Sequence, residues 1–175
     1  FDYARQAPAA PPRLLYLAHR VEILEQARDT FREVLLDGGF GELIADGATP
    51  ARGDHVFATI QSARRLLEQL GGAHFAYVVI DECHHLPAPS YQAALRALRP
   101  QLLLGLTATP ERSDGQSLLP DFDDRIAAEL RLPDALAQQL LAPFEYYGLA
   151  DGTDLRHVRW TRTGYDAAAL AGLYT

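Results

Sequence analysis

The sequence predicts an α/β fold in which a parallel sheet is flanked by helices. Short apolar runs typical of buried strands alternate along the chain with segments whose apolar residues repeat at helical spacing. At least four of the predicted strands end in polar or charged residues of the kinds that bind ligands. Because ligands bind outside the carboxyl ends of the strands in open α/β sheets, this recurrence predicts one active edge.

The composition is that of a single soluble domain. The chain has 175 residues, of which 48% are hydrophobic and 22% are charged, and no apolar run approaches the length that crosses a bilayer. The single cysteine, Cys83, excludes an internal disulfide framework and fits a reducing compartment. We therefore expect a cytoplasmic location and no membrane partner.

Two absences narrow the function. The chain contains no lysine, so all 16 basic residues are arginine and a phosphate loop of the G-x-x-x-x-G-K-[ST] type is not among these residues. It also contains no methionine, and residues 1–5 resemble the end of a helix, so we expect a fragment of a longer protein. The net charge of -7 argues against binding nucleic acid over the whole surface but permits a local groove of arginines.

The first predicted unit is a strand followed by a helix. A proline-rich connector at residues 6–12 precedes the apolar strand Leu14–Ala18, and helical spacing then runs from Val21 to Leu35 and ends near Gly38. His19 and Arg20 lie at the carboxyl end of the strand, where a helix N-terminus and a guanidinium could receive a phosphate. A solvated turn is the alternative interpretation.

The second unit repeats this arrangement. The glycine-rich cluster at residues 38–41 (Gly-Gly-Phe-Gly) follows a helix, which is the wrong order for a phosphate loop, so it predicts a helix end and a turn before a strand at Glu42–Ala45. A strand at His55–Thr59 then leads into a helix from Ile60 to Leu70. At this strand end three side chains could donate to the phosphates of a ligand, namely Thr59, Gln61 and Ser62. For the threonine and the serine, a plain helix cap is the alternative.

The third and fourth strand ends carry the most chemistry. The apolar run Val78–Ile80 leads directly into Asp81, Glu82, Cys83, His84 and His85, a group able to hold a metal or orient a water, with a solvated loop as the alternative. A helix from Ser90 to Leu98 precedes the strand Leu102–Leu106, which ends in the hydroxyls and charges of residues 107–112.

The remaining residues predict shorter elements. A loop at residues 113–122 is followed by short helices at Asp124–Leu130 and Pro133–Leu141 and by an extended segment at Pro143–Leu149. The basic and aromatic segment Leu155–Thr163 predicts a linker, with a nucleic-acid contact as the alternative. A helix begins near Tyr165.

Four of these segments resemble motifs of the superfamily 2 helicases, in the order and spacing of that family. Leu17–Ala27 resembles motif Ia, Ala58–Ser62 resembles the T-x-Q segment, Asp81–His84 resembles the D-E-x-H box and Gly105–Arg112 resembles motif III. The form of the last segment is similar to that of bacterial DEAD/DEAH members close to the type III restriction and excision-repair motors. The resemblance covers roughly residues 13–112.

The resemblance implies an incomplete RecA-like motor domain. Residues 1–140 would be part of the first RecA-like domain, without motif I, and residues 141–175 would approach a second RecA-like domain of the same chain. The parent protein would be an ATP-dependent helicase or translocase that couples Mg-ATP hydrolysis to movement on DNA. The isolated chain is expected to be inactive, because the phosphate loop and the second motor domain are absent from it.

The resemblance also implies roles for individual residues. Asp81 would hold Mg²⁺ through water, and Glu82 would orient and deprotonate the water that attacks the γ-phosphate. His84 would couple the box to Thr107 and Thr109. The contacts to a nucleic-acid backbone would come from Arg20, Thr59, Gln61 and Ser62. Cys83 stands at the variable position of the box and is interpreted as a packing residue.

Two other functions compete with this interpretation. A metal-dependent hydrolase would use Asp81, Glu82, His84 and His85, but neighbouring residues of an extended segment point to opposite faces and H-E-x-x-H is absent. A motor-like module that binds nucleic acid or protein without catalysis is the second alternative. DNA is favoured over RNA only because the most similar motif variants belong to DNA motors; direction, strand separation, pathway and oligomeric state stay open.

Overall fold

The computed structural model describes residues 12–45, 47–109, 117–147, 153–161 and 164–173. Several predicted features lie outside these ranges. They are the helix end at residues 1–5, most of the proline-rich connector, the charged end of motif III at residues 110–112, and parts of the loop at 113–122, of the extended segment at 143–149 and of the basic segment at 155–163.

A five-stranded parallel sheet forms the first part of the chain and confirms the predicted α/β class. Its strand order is β2-β3-β1-β4-β5, and every neighbouring pair is parallel. The strands are β1 (Leu14–Ala18), β2 (Glu42–Ile44), β3 (His55–Thr59), β4 (Tyr77–Ile80) and β5 (Leu102–Gly105). The apolar runs predicted these strands because both faces of a parallel sheet are covered and its inner strands need no polar alternation.

Helices cover both faces of the sheet. They are α1 (Val21–Leu35), α2 (Ile60–Leu70) and α3 (Pro89–Ala97). Strand β1 shows the division, because Leu15 and Leu17 join one apolar core while Leu14 and Tyr16 join the other. Side chains alternate between the faces of a strand, so a continuous apolar run serves both cores.

The second part of the chain departs from the prediction. No helix forms at Asp124–Leu130, because Asp123 and Asp124 both adopt left-handed backbone angles (φ 54° and 55°), which stop a right-handed helix. A one-turn 3-10 helix at Leu119–Phe122 precedes them. The predicted helix Pro133–Leu141 is shorter than expected: α4 spans Leu132–Ala137, and Gln139 is left-handed (φ 57°).

The basic segment contains a feature that the sequence pattern did not predict. Trp160–Thr161 (β6) and Gly164–Tyr165 (β7) pair as antiparallel strands, and α5 (Ala167–Ala171) follows them. The chain divides into two compact units, Phe1–Ala127 and Ala128–Thr175. The domain boundary expected at residues 140 and 141 stays a prediction. Among the described residues, no helix is both long enough and apolar enough to cross a membrane.

Candidate functional site

The parallel sheet brings the predicted site residues to one edge. Ala18 lies opposite Thr59, Leu17 lies opposite Ile80, and Ile80 lies opposite Gly105 in the register of the sheet. The segments that follow β1, β3, β4 and β5 therefore begin at the same level. This is the carboxyl edge, where ligands collect in open α/β sheets.

Asp81 is held by three hydrogen bonds, one at its backbone and two at its carboxylate. Its backbone N–H donates to the carbonyl oxygen of Leu17 at 2.8 Å. Its Oδ1 accepts the backbone N–H of Glu82 at 2.8 Å, and its Oδ2 accepts the hydroxyl of Tyr16 at 2.8 Å. Each carboxylate oxygen still has a free lone pair, because one hydrogen bond uses only one of two. The group is thus fixed in orientation and able to bind a water.

The backbone turns sharply at Glu82. This residue has a left-handed conformation (φ 51°, ψ 48°) and opens a one-turn 3-10 helix at Cys83–His85. The backbone N–H of Cys83 donates to the carbonyl oxygen of Leu106 at 2.9 Å, which ties the turn to the end of β5. A non-glycine residue in this region costs about 1–2 kcal/mol. Such strain is concentrated at functional sites, where the surrounding structure maintains it.

His84 connects the box with the end of β5. Its Nδ1 lies 3.1 Å from the Oε2 of Glu82 and 3.1 Å from the Oγ1 of Thr107. The hydroxyl oxygen of Thr107 also accepts the backbone N–H of Thr109 at 3.0 Å. The imidazole of His84 thus lies between the carboxylate of Glu82 and the threonine segment, and it is hydrogen-bonded to Thr107. The segments after β4 and β5 are therefore in direct contact.

Two further imidazoles lie beside His84. The ring of His85 is 4.1 Å from that of His84 and 5.4 Å from that of His19, measured between ring centroids. Partial burial, followed by the neighbouring imidazoles of His84 and His19, lowers the pKa of His85. The neutral form of His85 is thus favoured where the segment after β4 approaches the segment after β1.

Cys83 behaves as a packing residue. Its side chain is buried in the larger core cluster. Burial raises the pKa of its thiol to about 11, so the nucleophilic thiolate is scarce at neutral pH.

The four predicted nucleic-acid contacts lie at the same edge but differ in exposure. Arg20 and Gln61 are exposed. Thr59 and Ser62 are each 8% exposed and bond to one another. The Thr59 hydroxyl donates to the Ser62 hydroxyl at 2.9 Å and accepts the Ser62 backbone N–H at 3.4 Å, which is a helix cap for α2. Their contact with nucleic acid stays a prediction.

The donor set at this edge suits magnesium. Mg²⁺ keeps several waters and uses one or two carboxylates together with substrate phosphates, and Asp81 offers such a carboxylate. Among the described residues, no group of three or more His, Cys, Asp or Glu side chains is arranged to hold a metal ion. A water-mediated Mg²⁺ does not need such a group.

The sequence pattern did not single out two contacts of this site. The sequence pattern assigns Tyr16 only to an apolar strand. A buried phenol usually has a hydrogen-bond partner, so a tyrosine at this position is itself a signal of such a partner. The approach of His19 to His85 depends on the order of the strands in the sheet, which cannot be read from the sequence. Neither contact is visible without the register of the sheet.

Comparisons with known proteins match this chain to one protein family and to several individual relatives. Residues 2–112 match the family described as "Type III restriction enzyme, res subunit". Over 103 residues the chain is 33% identical to the DNA 3'-5' translocase XPB2 of Sulfurisphaera tokodaii, a match that covers 58% of this chain and 22% of the relative.

Two fungal relatives extend the match. IRC3 of Saccharomyces cerevisiae, named as a candidate ATP-dependent helicase, is 25% identical over 172 residues, or 91% of this chain and 24% of the relative. The candidate mitochondrial ATP-dependent helicase irc3 of Schizosaccharomyces pombe is 29% identical over 133 residues, or 70% and 22%. The chain thus spans about a quarter of the length of these relatives.

Proposed function

Because the chain belongs to the type III restriction enzyme res subunit family of superfamily 2 helicases, we propose that it forms most of the first motor domain of an ATP-dependent DNA translocase or helicase. The observation that carries the proposal is the chain of contacts from Glu82 through His84 to Thr107 beside Asp81. A carboxylate pair alone would be a weak signal. A carboxylate pair bonded to a second strand end, inside the matched region, is the arrangement that a coupled ATPase needs.

The two carboxylates have different tasks in this proposal. Mg²⁺ would neutralise the charge that develops on the phosphates when it is bound. Asp81, held by Leu17, Glu82 and Tyr16, would hold that ion through water. Glu82 would orient the attacking water and accept its proton, because within the described part of the chain its carboxylate has one ionic contact, to the Nδ1 of His84, and accepts no hydrogen bond.

His84 and the threonines would couple hydrolysis to movement. In the tautomer with a proton on Nδ1, that proton would serve either the Glu82 carboxylate or the Thr107 hydroxyl, since both oxygens lie 3.1 Å away. If Glu82 became protonated or lost its water, the Nδ1 proton would be shared less with Glu82 and more with Thr107. Thr109, bonded to Thr107 through its backbone N–H, would carry the change along the segment after β5.

DNA is the nucleic acid along which we propose that the longer protein moves. XPB2, with which the chain shares 33% identity, is a DNA translocase by name. Arg20 and Gln61 are exposed at the carboxyl edge and would contact phosphates directly. Thr59 and Ser62 would act there chiefly by fixing the N-terminus of α2, whose free N–H groups favour anions. Such contacts position a strand without reading its sequence.

The isolated chain is proposed to be inactive. It contains no lysine for a phosphate loop. The binding site for ATP and Mg²⁺ would be completed by a phosphate loop and a second RecA-like domain in a longer protein that carries this chain. In the isolated chain the D-E-x-H box would therefore be correctly arranged but would not hydrolyse ATP.

The test is the substitution Glu82→Gln in such a longer protein. Glutamine keeps the shape of the side chain but does not accept the proton, so ATP turnover should fall by about 10²- to 10⁴-fold, the usual contribution of a general base. ATPase would be measured without nucleic acid, with single-stranded and duplex DNA, and with RNA. We expect stimulation by DNA.

The control is Glu68→Gln on the exposed side of α2, where Glu68 pairs with Arg64 alone among the residues that the structure describes. This variant should keep the wild-type rate. Absence of ATPase in the wild-type protein would favour a non-catalytic binding module instead. Equal rates for the wild type and Glu82→Gln would contradict the assignment of the base.

A further inference from the structure

Tyr16 makes the one side-chain contact that the described residues provide to the carboxylate of Asp81. Its hydroxyl lies 2.8 Å from Oδ2, although the two residues are 65 positions apart in the sequence. The tyrosine is 6% exposed and lies in the middle of β1. The hydroxyl of Tyr16 is thus placed inside an apolar strand and directed at Asp81, the residue predicted to hold Mg²⁺ through water.

The surroundings fix this hydroxyl in place. The ring of Tyr16 stacks on that of Phe57, with the centroids 5.5 Å apart and the planes inclined by 23°. The same strand also holds the backbone of Asp81, because the Asp81 N–H donates to the carbonyl of Leu17. Strand β1 therefore controls both the main chain and the side chain of Asp81.

Hydrogen bonds reach both oxygens of the Asp81 carboxylate. The hydroxyl of Tyr16 donates to Oδ2 at 2.8 Å. With the Glu82 N–H on Oδ1, the rotation of the carboxylate is determined at both oxygens.

We propose that Tyr16 is a positioning residue for the Asp81 carboxylate, which it orients for the water shell of Mg²⁺. The inference rests on the proposed ATPase function of this edge. Partners of this kind set the orientation of metal-binding groups, and their loss costs about 10- to 100-fold in metal affinity. In this proposal Tyr16 acts through Asp81 and binds neither the metal nor the nucleotide itself.

The test compares Tyr16→Phe with Tyr91→Phe in the longer protein. Both substitutions remove one phenolic oxygen from a buried ring at the same part of the molecule. Tyr91 is 3% exposed, and its hydroxyl has no hydrogen-bond partner among the described residues. The Mg²⁺ concentration that gives half-maximal ATPase should rise about tenfold or more in Tyr16→Phe and stay near the wild-type value in Tyr91→Phe.

A second readout does not depend on turnover. In a Glu82→Gln background, binding of Mn²⁺ with ATP would be measured by electron paramagnetic resonance, and Tyr16→Phe should weaken the binding of Mn²⁺ by a similar factor. Replacing Tyr16 by 4-aminophenylalanine, which retains an N–H donor at the ring position, should restore both values towards the wild type. This rescue separates donation from filling of the core and also serves if Tyr16→Phe folds poorly.

The outcomes separate the two claims. If the wild-type protein hydrolyses ATP but Tyr16→Phe and Tyr91→Phe show the same metal dependence, the positioning role is wrong and the proposed function stands. A fall in the maximal rate and in thermal stability without a change in the metal dependence also overturns it, because that is the result of a packing role. If the wild-type protein does not hydrolyse ATP, the proposed function itself fails.

Discussion

At the scale of single residues, Tyr16 of β1 and Thr107 after β5 both reach the acidic turn that follows β4. The succession Asp81, Glu82, His84 is readable because its residue types and its place after an apolar run suffice to suggest it. The partners of these residues are not readable. Thr107 and Tyr16 reach the box only through the order β1-β4-β5, which sets residues distant in sequence side by side.

Burial shows one of the two roles that the sequence leaves open for Thr59 and Ser62. Thr59 and Ser62 could have been phosphate donors or helix caps, and the structure shows the cap directly. Whether they also contact nucleic acid is a separate matter, which depends on the bound strand. Exposure of Arg20 and Gln61, in contrast, leaves both side chains available.

His55 gives a prediction on pH at the opposite edge of the sheet. Its ring stacks on Phe40 with the centroids 4.3 Å apart, and its buried Nδ1 has no hydrogen-bond partner among the described residues. Burial, with a smaller contribution from Arg52, lowers the pKa of His55 against the opposing effects of Asp54 and Asp37. The unfolded chain therefore binds more protons than the folded chain as the pH falls below the ordinary histidine value of about 6.5.

Stability should thus decrease as the pH is lowered from 7.5 to 5.5, because protonation favours the unfolded state. Urea unfolding across this range measures the effect. In His55→Phe, which keeps a ring to stack on Phe40, the loss should be smaller than in the wild type. The same substitution at the exposed His157 controls for the loss of an imidazole. An unchanged slope in His55→Phe would contradict the prediction.

At the scale of elements, the first five strands were predicted closely and the later helices were not. Buried parallel strands produce long apolar runs, and α2 begins and ends at Thr59 and Gly71, which are recognisable caps. The helix expected at Asp124–Leu130 failed because two successive aspartates turn left-handed. Aspartate tolerates that conformation, but its presence does not require it, so the pattern alone was insufficient.

Gly105 ends β5 where two elements approach it closely. A Cβ on this residue would lie 2.4 Å from the Cζ of Phe122 and 2.9 Å from the Sγ of Cys83. A glycine inside a strand indicates such an approach, but the sequence does not say what approaches.

Gly105→Ala should therefore lower the free energy of unfolding by about 1–3 kcal/mol, the usual cost of overpacking a core. Urea unfolding of the chain measures it. Gly38→Ala is the matched control, because a Cβ there meets nothing within 4 Å. It should leave the stability nearly unchanged. Equal effects of the two substitutions would show that the crowding at Gly105 relaxes without cost.

At the scale of the whole molecule, the two compact units differ in what holds them. Every member of the two core clusters lies between Leu14 and Phe122, within the first unit. The second unit has short elements and many exposed apolar side chains, among them Leu140, Phe144, Tyr146 and Trp160. Periodicity predicts elements that bury a face, which is why it succeeded in the first unit and missed the short hairpin of the second.

This difference predicts that the first unit folds without the second. A chain that ends at Ala127 retains all five strands, α1 to α3 and both core clusters. Its circular dichroism should show a cooperative thermal transition, because the apolar burial that stabilises the sheet is unchanged. The contact between His84 and Thr107 should persist as well, since both residues belong to this unit.

The control is a chain that ends at Pro100. It lacks β5, so it loses the strand that pairs with β4 and the carbonyl of Leu106 that receives the Cys83 N–H. The turn that carries Glu82 and His84 then has no anchor on that side, and the cooperative transition should be lost or strongly lowered. If the chain ending at Ala127 behaved like this control, residues 128–175 would be required for the sheet to fold, and the core of the first unit would not suffice.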